Sequence, residues 1–360
     1  MSNSTTNNDK PAAAVDTQRR NVLRAGAAAA TALAMPAIVR ADPKVLYVNS
    51  QGGTWEAAAR KNLFDPFTKA TGIEIKTATG ASFAKLALQA RTGVYEFDIE
   101  TVGAPNVIQA MNANLLEPIN YSVLGHGSVP SNLILENAVC NHAYSTNICF
   151  NTKKYAPGSI KTWKDFWDQQ RFPGPRSLGR ELSQTIVFAL LADGVPRDKL
   201  YPIDLDRVFH SLDKIKNSVR VWWTTGPQIR ELLGGGEVDM GSVWHAHGVA
   251  LRNSGAPVEI VWNEFTMDRT YWIVSKGTPR ADYAWEFIKF ALQPKNNAGF
   301  CVDGAYGPVN PAAFQYLTPE QTMNMPTNPK YASGAIEYDG RQMGEVMTQA
   351  ERRFQRWLQQ

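Results

Sequence analysis

From Lys44 onward, apolar and polar positions alternate between two periods. "KVLYVNS" (44–50) is a continuous apolar strand, "QGGT" a turn, and "WEAAARKNLFDPFTKATG" an amphipathic helix closed by Gly72. "IEIKTAT" predicts the next strand, "GASFAKLALQARTG" a helix, "FDIETVG" a third strand and "PNVIQAMNANLL" a third helix. Strands alternating with helices predict a parallel sheet wound on both sides. In such sheets small molecules bind beyond the carboxyl ends of the strands. Ser50–Thr54, Thr79–Phe83 and Glu100–Ala104 are therefore expected to share one rim. This makes Ser50, Gly53, Thr54, Ser82 and Glu100 candidates, and two of these loops open helices whose N–H groups favour an anion. Glu100 stands out because a strand covered on both faces rarely carries an ionised side chain.

A second α/β block follows. "TWKDFWDQQRF", "ELSQTIVFALLADG" and "DLDRVFHSLDKIKN" read as helices, and "SVRVWW" as a strand before the helix "TTGPQIRELLGGG", with Pro227 near its first position. "EVDMGSVW", "HAHGVALRNSG" and "VEIVWN" continue as strand, helix and strand. "DRTYWIVSKGTPR" (268–280) places Arg269, Tyr271 and Trp272 where a strand is expected to begin, either as core or as one wall of a pocket. The chain ends in the helix "DYAWEFIKFALQ", the loop "DGAYGPVNPAAF" and a charged helix, "EVMTQAERRFQRWLQQ". Two α/β lobes without a flexible linker leave a cleft between them, the architecture of a hinge-closing binder.

The first forty residues change the picture of charge and location. "QRRNVLRAGAAAATALAMPAIVRA" has an arginine pair, Arg19 and Arg20, an uncharged Ala-rich stretch and a small-residue cleavage site, which together predict a twin-arginine export signal over residues 1–41. The uncharged stretch, Ala25 to Val39, is too short to span a bilayer. A periplasmic location is expected. Loss of that segment takes five basic and two acidic side chains from totals of 37 and 33, leaving a net of +1. The basic excess thus belongs to the signal and does not argue for a nucleic-acid or membrane-surface partner; none is expected. Of the three cysteines, Cys140 and Cys149 could bridge across a bend, with Cys301 left over.

In order along the chain, "VNSQGGTWEAAARKNLFDPFTKATGI", "VWWTTG", "LLGGGEVDMGSVW", "GAPVEIVWNE", "YWIVSKGTP" and "AYGPVNPAAF" resemble the polyamine-type extracellular solute-binding proteins of bacterial ABC importers. The resemblance implies a type II periplasmic-binding-protein fold, with two α/β lobes around a hinged cleft. It also implies a small-molecule ligand, no cofactor, and delivery to an ABC permease and ATPase complex at the inner membrane by a protein expected to be a monomer. The lobes are expected at 42–148 with 272–305 and at 149–271, and the third crossing and C-terminal helices at 306–360. By position Trp244 and Trp272 resemble the family's cleft tryptophans, and Tyr306-Gly307-Pro308 its last hinge.

The sequence departs from that pattern where an acidic residue would follow the second tryptophan: Val274 stands there, and Gln184 falls near the acidic position of the second lobe. Glu100, Glu181, Glu264 and Asp268 remain as carboxylates for an ammonium group, and Arg180 and Arg269 could hold an acid. Tyr144, Ser145, Trp223, Thr224 and Tyr271 complete the candidate set. Two alternatives compete with this reading. His245 and His247 with His142 and Glu264 could hold a metal, but the spacing gives no defined third ligand. For an enzyme, no nucleophile elbow, dinucleotide fingerprint or zincin helix is present in the sequence.

Overall fold

The computed structural model describes residues 44–127, 130–337 and 339–360, so the expected export signal lies outside the described residues. The apolar runs near the start form β1 (Val45–Asn49), β2 (Glu74–Ala78) and β3 (Ile99–Gly103), with α1 (Gly53–Ala59), α2 (Phe83–Thr92) and α3 (Ala104–Asn112) between and after them. Helix ends follow local chemistry. Ser82 accepts from the Lys85 N–H to cap α2, and Gly93, left-handed at φ 71°, ends it.

The chain then enters one strand of 14 residues, β4 (Ala138–Asn151). Next come β5 (Arg176–Gly179), α4 (Leu182–Ala192), β6 (Val219–Trp223), α5 (Gly226–Gly234), β7 (Met240–Trp244) and α6 (His245–Asn253). A second long strand, β8 (Phe265–Val274), returns beside β4, followed by α7 (Ala281–Ala291) and α8 (Pro294–Gly304). A short strand, β9 (Ala335–Glu337), and the terminal helix α9 (Gly340–Leu358) close the chain.

All principal strands join one curled sheet in the order β2-β1-β3-β8-β4-β7-β5-β6. β1, β2 and β3 are parallel, but β8 runs antiparallel to both β3 and β4, so the sheet is mixed rather than purely parallel. Two cores form on it. Trp55, Phe64, Phe67, Trp272, Trp285 and Phe287 anchor the first lobe; Phe150, Trp163, Phe166, Phe188, Phe209 and Trp357 anchor the second. β4 and β8 pass from one core to the other through Ala143, Phe265 and Met267.

Cys140 and Cys149 lie on this one extended strand, nine positions apart. At about 3.3 Å per residue they are far beyond disulfide reach, and there is no bend to bring them together. The expected bridge is not formed, and all three cysteines are free and buried.

The terminal helix is tied to the second lobe by Met343, Ala350, Phe354 and Trp357. Its first residue reaches the first lobe: a Cβ on Gly340 would lie 3.6 Å from that of Ala104. Among the described residues no helix is long and apolar enough to cross a membrane.

Candidate functional site: an acidic cluster on the interlobe strands

Paired residues on neighbouring strands point to the same face. Tyr144 on β4 pairs with Asp268 on β8, so the two side chains stand together midway between the lobes. Gln184, in the first turn of α4, donates to an Asp268 carboxylate oxygen at 3.2 Å. Glu181, the residue before that helix, lies within electrostatic reach of Tyr144, whose phenol is pushed well above its ordinary pKa by burial first and then by the charges of Asp268 and Glu181. Glu181 is open to solvent, yet burial raises its own carboxyl pKa.

Tyr306 closes the set from the first lobe. Its ring packs on His142, with centroids 4.1 Å apart, and its phenol lies within electrostatic reach of that of Tyr144. Trp244 stands half-buried on the same face, one row farther toward the second lobe, where it pairs with Thr146. The geometry brings together two carboxylates, two phenols and an indole, a set suited to an ammonium group and a short carbon chain. Two open surface grooves elsewhere, one along Tyr121, Ser131 and Asn310 and one along Arg197, Tyr201 and Glu337, touch none of Tyr144, Glu181 or Asp268.

Several expected residues take other roles. Trp272 is 1 % exposed and meets Trp55 and Phe287 edge to face, so it is first-lobe core and not a cleft wall. Tyr271 joins the same core. Arg269 does not start a strand; it lies inside β8, and both its terminal nitrogens donate to Glu337 on β9 at 2.6 Å. That bidentate pair occupies the guanidinium which an acid would need.

Trp223, also 1 % exposed, donates its indole N–H to Ser242. Ser145 is fully buried and donates its hydroxyl to Asn147. Glu264 serves the fold: its carboxylate accepts the Trp163 backbone N–H and its carbonyl the Trp163 indole N–H, at 2.9 and 2.7 Å.

The rim loops are also partly committed. Ser50 donates to Glu56, whose carboxylate stands in the first turn of α1 and offsets the positive end expected to draw an anion. Gly53 and Thr54 begin that helix, and Ser82 caps the next. Arg180 and Thr224 stay exposed: Arg180 donates to Gln355 of α9, and the Thr224 backbone N–H donates to Gln228.

Glu100 pairs with Ile273 across β3 and β8, is 8 % exposed, and makes no hydrogen bond or ion pair among the described residues. Burial alone pushes its carboxyl up to about 7.

The histidines do not gather. The His245 ring accepts the Ser145 N–H through Nδ1, and burial lowers the pKa of His142 to about 3 and of His245 to about 4. Among the described residues no three metal-binding side chains come together.

Residues 62–330 match the family model of the bacterial extracellular solute-binding proteins, about three-quarters of the chain. The chain is a bacterial extracellular solute-binding protein. It is 30% identical over 333 residues to the gamma-aminobutyric acid-binding protein of Pseudomonas aeruginosa, covering 90% of this chain and 94% of that one. To the spermidine/putrescine-binding periplasmic protein of Escherichia coli it is 25% identical over 317 residues, 84% of this chain and 87% of that one. The solved structure of the Atu4243-GABA receptor superposes with a TM-score of 0.81 at 29% identity, over 87% of this chain and 97% of that chain. The fold of this solute-binding protein is thus the type II one, with two α/β lobes around a hinged cleft, and its work is to capture a small charged solute for an ABC importer. Gln184, which falls near the acidic position of the second lobe in the sequence, stands here as the hydrogen-bond donor to Asp268.

Proposed function

We propose that the solute is a compound with one amine and one acid group, an ω-amino acid such as γ-aminobutyrate. The amine would sit against Asp268, Glu181, Tyr144 and Tyr306, with the Trp244 ring along its carbon chain. The observation that carries this reading is the Asp268–Gln184–Tyr144 arrangement on the interlobe strands, with Glu181 beside it. The likeness to the γ-aminobutyric acid-binding protein supports the same choice. In this reading the protein leaves the cytoplasm by the signal at residues 1–41, acts as a periplasmic monomer, and hands its solute to a permease and its ATPase.

A second reading, a polyamine, is favoured by one observation. Glu100 is a further buried carboxylate without a partner among the described residues, and a diammonium ligand would supply one.

Calorimetry with γ-aminobutyrate and spermidine separates the two. γ-Aminobutyrate should bind at least tenfold tighter, a difference of about 1.4 kcal/mol or more. Tighter binding of spermidine would overturn the amine–acid reading in favour of the polyamine.

A further inference from the structure

We infer that Trp244, Thr146 and Thr266 form a second subsite beside the acidic cluster, one that receives a hydrogen-bond-accepting oxygen. The oxygen belongs to the acid group of the solute or to a water fixed beneath it. The inference deepens the amine–acid reading and rests on it.

Register places the three together. Thr146 on β4 pairs with Trp244 on β7 at one side and with Thr266 on β8 at the other. Their side chains therefore share one face in a single row across three adjacent strands. Thr146 and Thr266 are almost wholly buried, at 1 % and 0 % exposure. The Thr146 hydroxyl, the Thr266 hydroxyl and the Trp244 indole N–H are all buried without a hydrogen-bond partner among the described residues. Native folds rarely leave even one such group unanswered, and three adjacent ones point to a common partner.

The neighbouring rows sharpen the contrast. One row deeper, Ser242 pairs with Ile148, and its hydroxyl accepts from both the Gly179 N–H and the Trp223 indole. One row back toward the first lobe, Asp268 accepts from Gln184.

The chemistry selects the occupant. An indole N–H can only donate, and a threonine hydroxyl can always turn to donate. Three donors in a row with no formal charge suit a carboxylate or water oxygen and serve an ammonium poorly. The row lies two residues along β4 from Tyr144, about 7 Å away. That separation suits a short ω-amino acid whose amine lies against Asp268 and Glu181.

The test uses the full-length mature protein. Thr146→Val and Thr266→Val, alone and together, keep side-chain shape and remove only the hydroxyls, so the fold should melt no lower than wild type. Calorimetry should show the double variant binding γ-aminobutyrate about tenfold more weakly or worse, while n-butylamine, which lacks the acid, is unaffected. Thr266→Ser, which restores a hydroxyl, should recover most of the loss. Wild-type protein that binds γ-aminobutyrate, with valine variants binding it equally well, would overturn the subsite and leave the amine–acid reading standing. Failure of wild type to bind γ-aminobutyrate at all would overturn that reading. A high-resolution crystal structure decides the row by itself. A carboxylate oxygen or a water within hydrogen-bond distance of the two hydroxyls and the indole supports it, and identifies which source it is. No oxygen there, with or without solute, contradicts it.

Discussion

Asp268→Asn is expected to weaken binding of the amine solute about a hundredfold, and Arg269→Ala, one residue along, to change it less than about twofold. The two side chains leave β8 on opposite faces. Asp268 stands with Tyr144 and Gln184 in the cleft, whereas Arg269 is held by Glu337 on β9. Asparagine keeps the shape and can still accept from Gln184, so the fold should survive while the ammonium loses its counter-charge. Losing one partner of a desolvated charge pair costs about 2–5 kcal/mol. Arg269→Ala removes a bidentate pair whose Glu337 member is more than half exposed, so its cost should appear as about 1 kcal/mol of stability. Calorimetry and thermal melting of both variants read the contrast. A large affinity loss in Arg269→Ala, with Asp268→Asn unaffected, would exchange the roles assigned to the two faces of β8.

Glu100→Gln should stabilise the protein above neutral pH by about 3 kcal/mol and leave it nearly unchanged at pH 4. Burial raises the wild-type carboxyl from 4.5 to about 7. Between those values the folded state holds a proton that the unfolded state has released. The stability contributed by this group therefore falls as pH rises through that window, and the penalty is complete above it. Glutamine carries no such proton, so the variant's melting temperature should lie above wild type at pH 8 and converge with it at low pH. Identical pH profiles would show that the Glu100 carboxyl is solvated or paired in solution.

The strand-and-helix order of the first lobe was legible because its strands are short apolar runs punctuated by Gly72 and Gly93. The long strand β4 was not. It is buried on both faces, yet it carries Asn141, His142, Ser145, Thr146 and Asn147, and so presents neither an alternating pattern nor an apolar run. That single strand also explains why Cys140 and Cys149 could not meet.

The roles of Arg269 and Trp272 rest on contacts distant in sequence. The partner of Arg269 lies 68 residues away on β9, and the edge-to-face partners of Trp272 come from α1 and α7. No local pattern announces either contact. Around the site, Asp268 and Glu181 could be recognised as carboxylates, but only strand register sets Asp268 beside Tyr144 and Thr146 between Trp244 and Thr266.

The most direct measurement is a mass spectrum of the solute that the purified protein releases when it is denatured. A single small compound bearing one amine and one acid group is the predicted result, whereas release of spermidine or putrescine, or of a metal ion, would contradict the account.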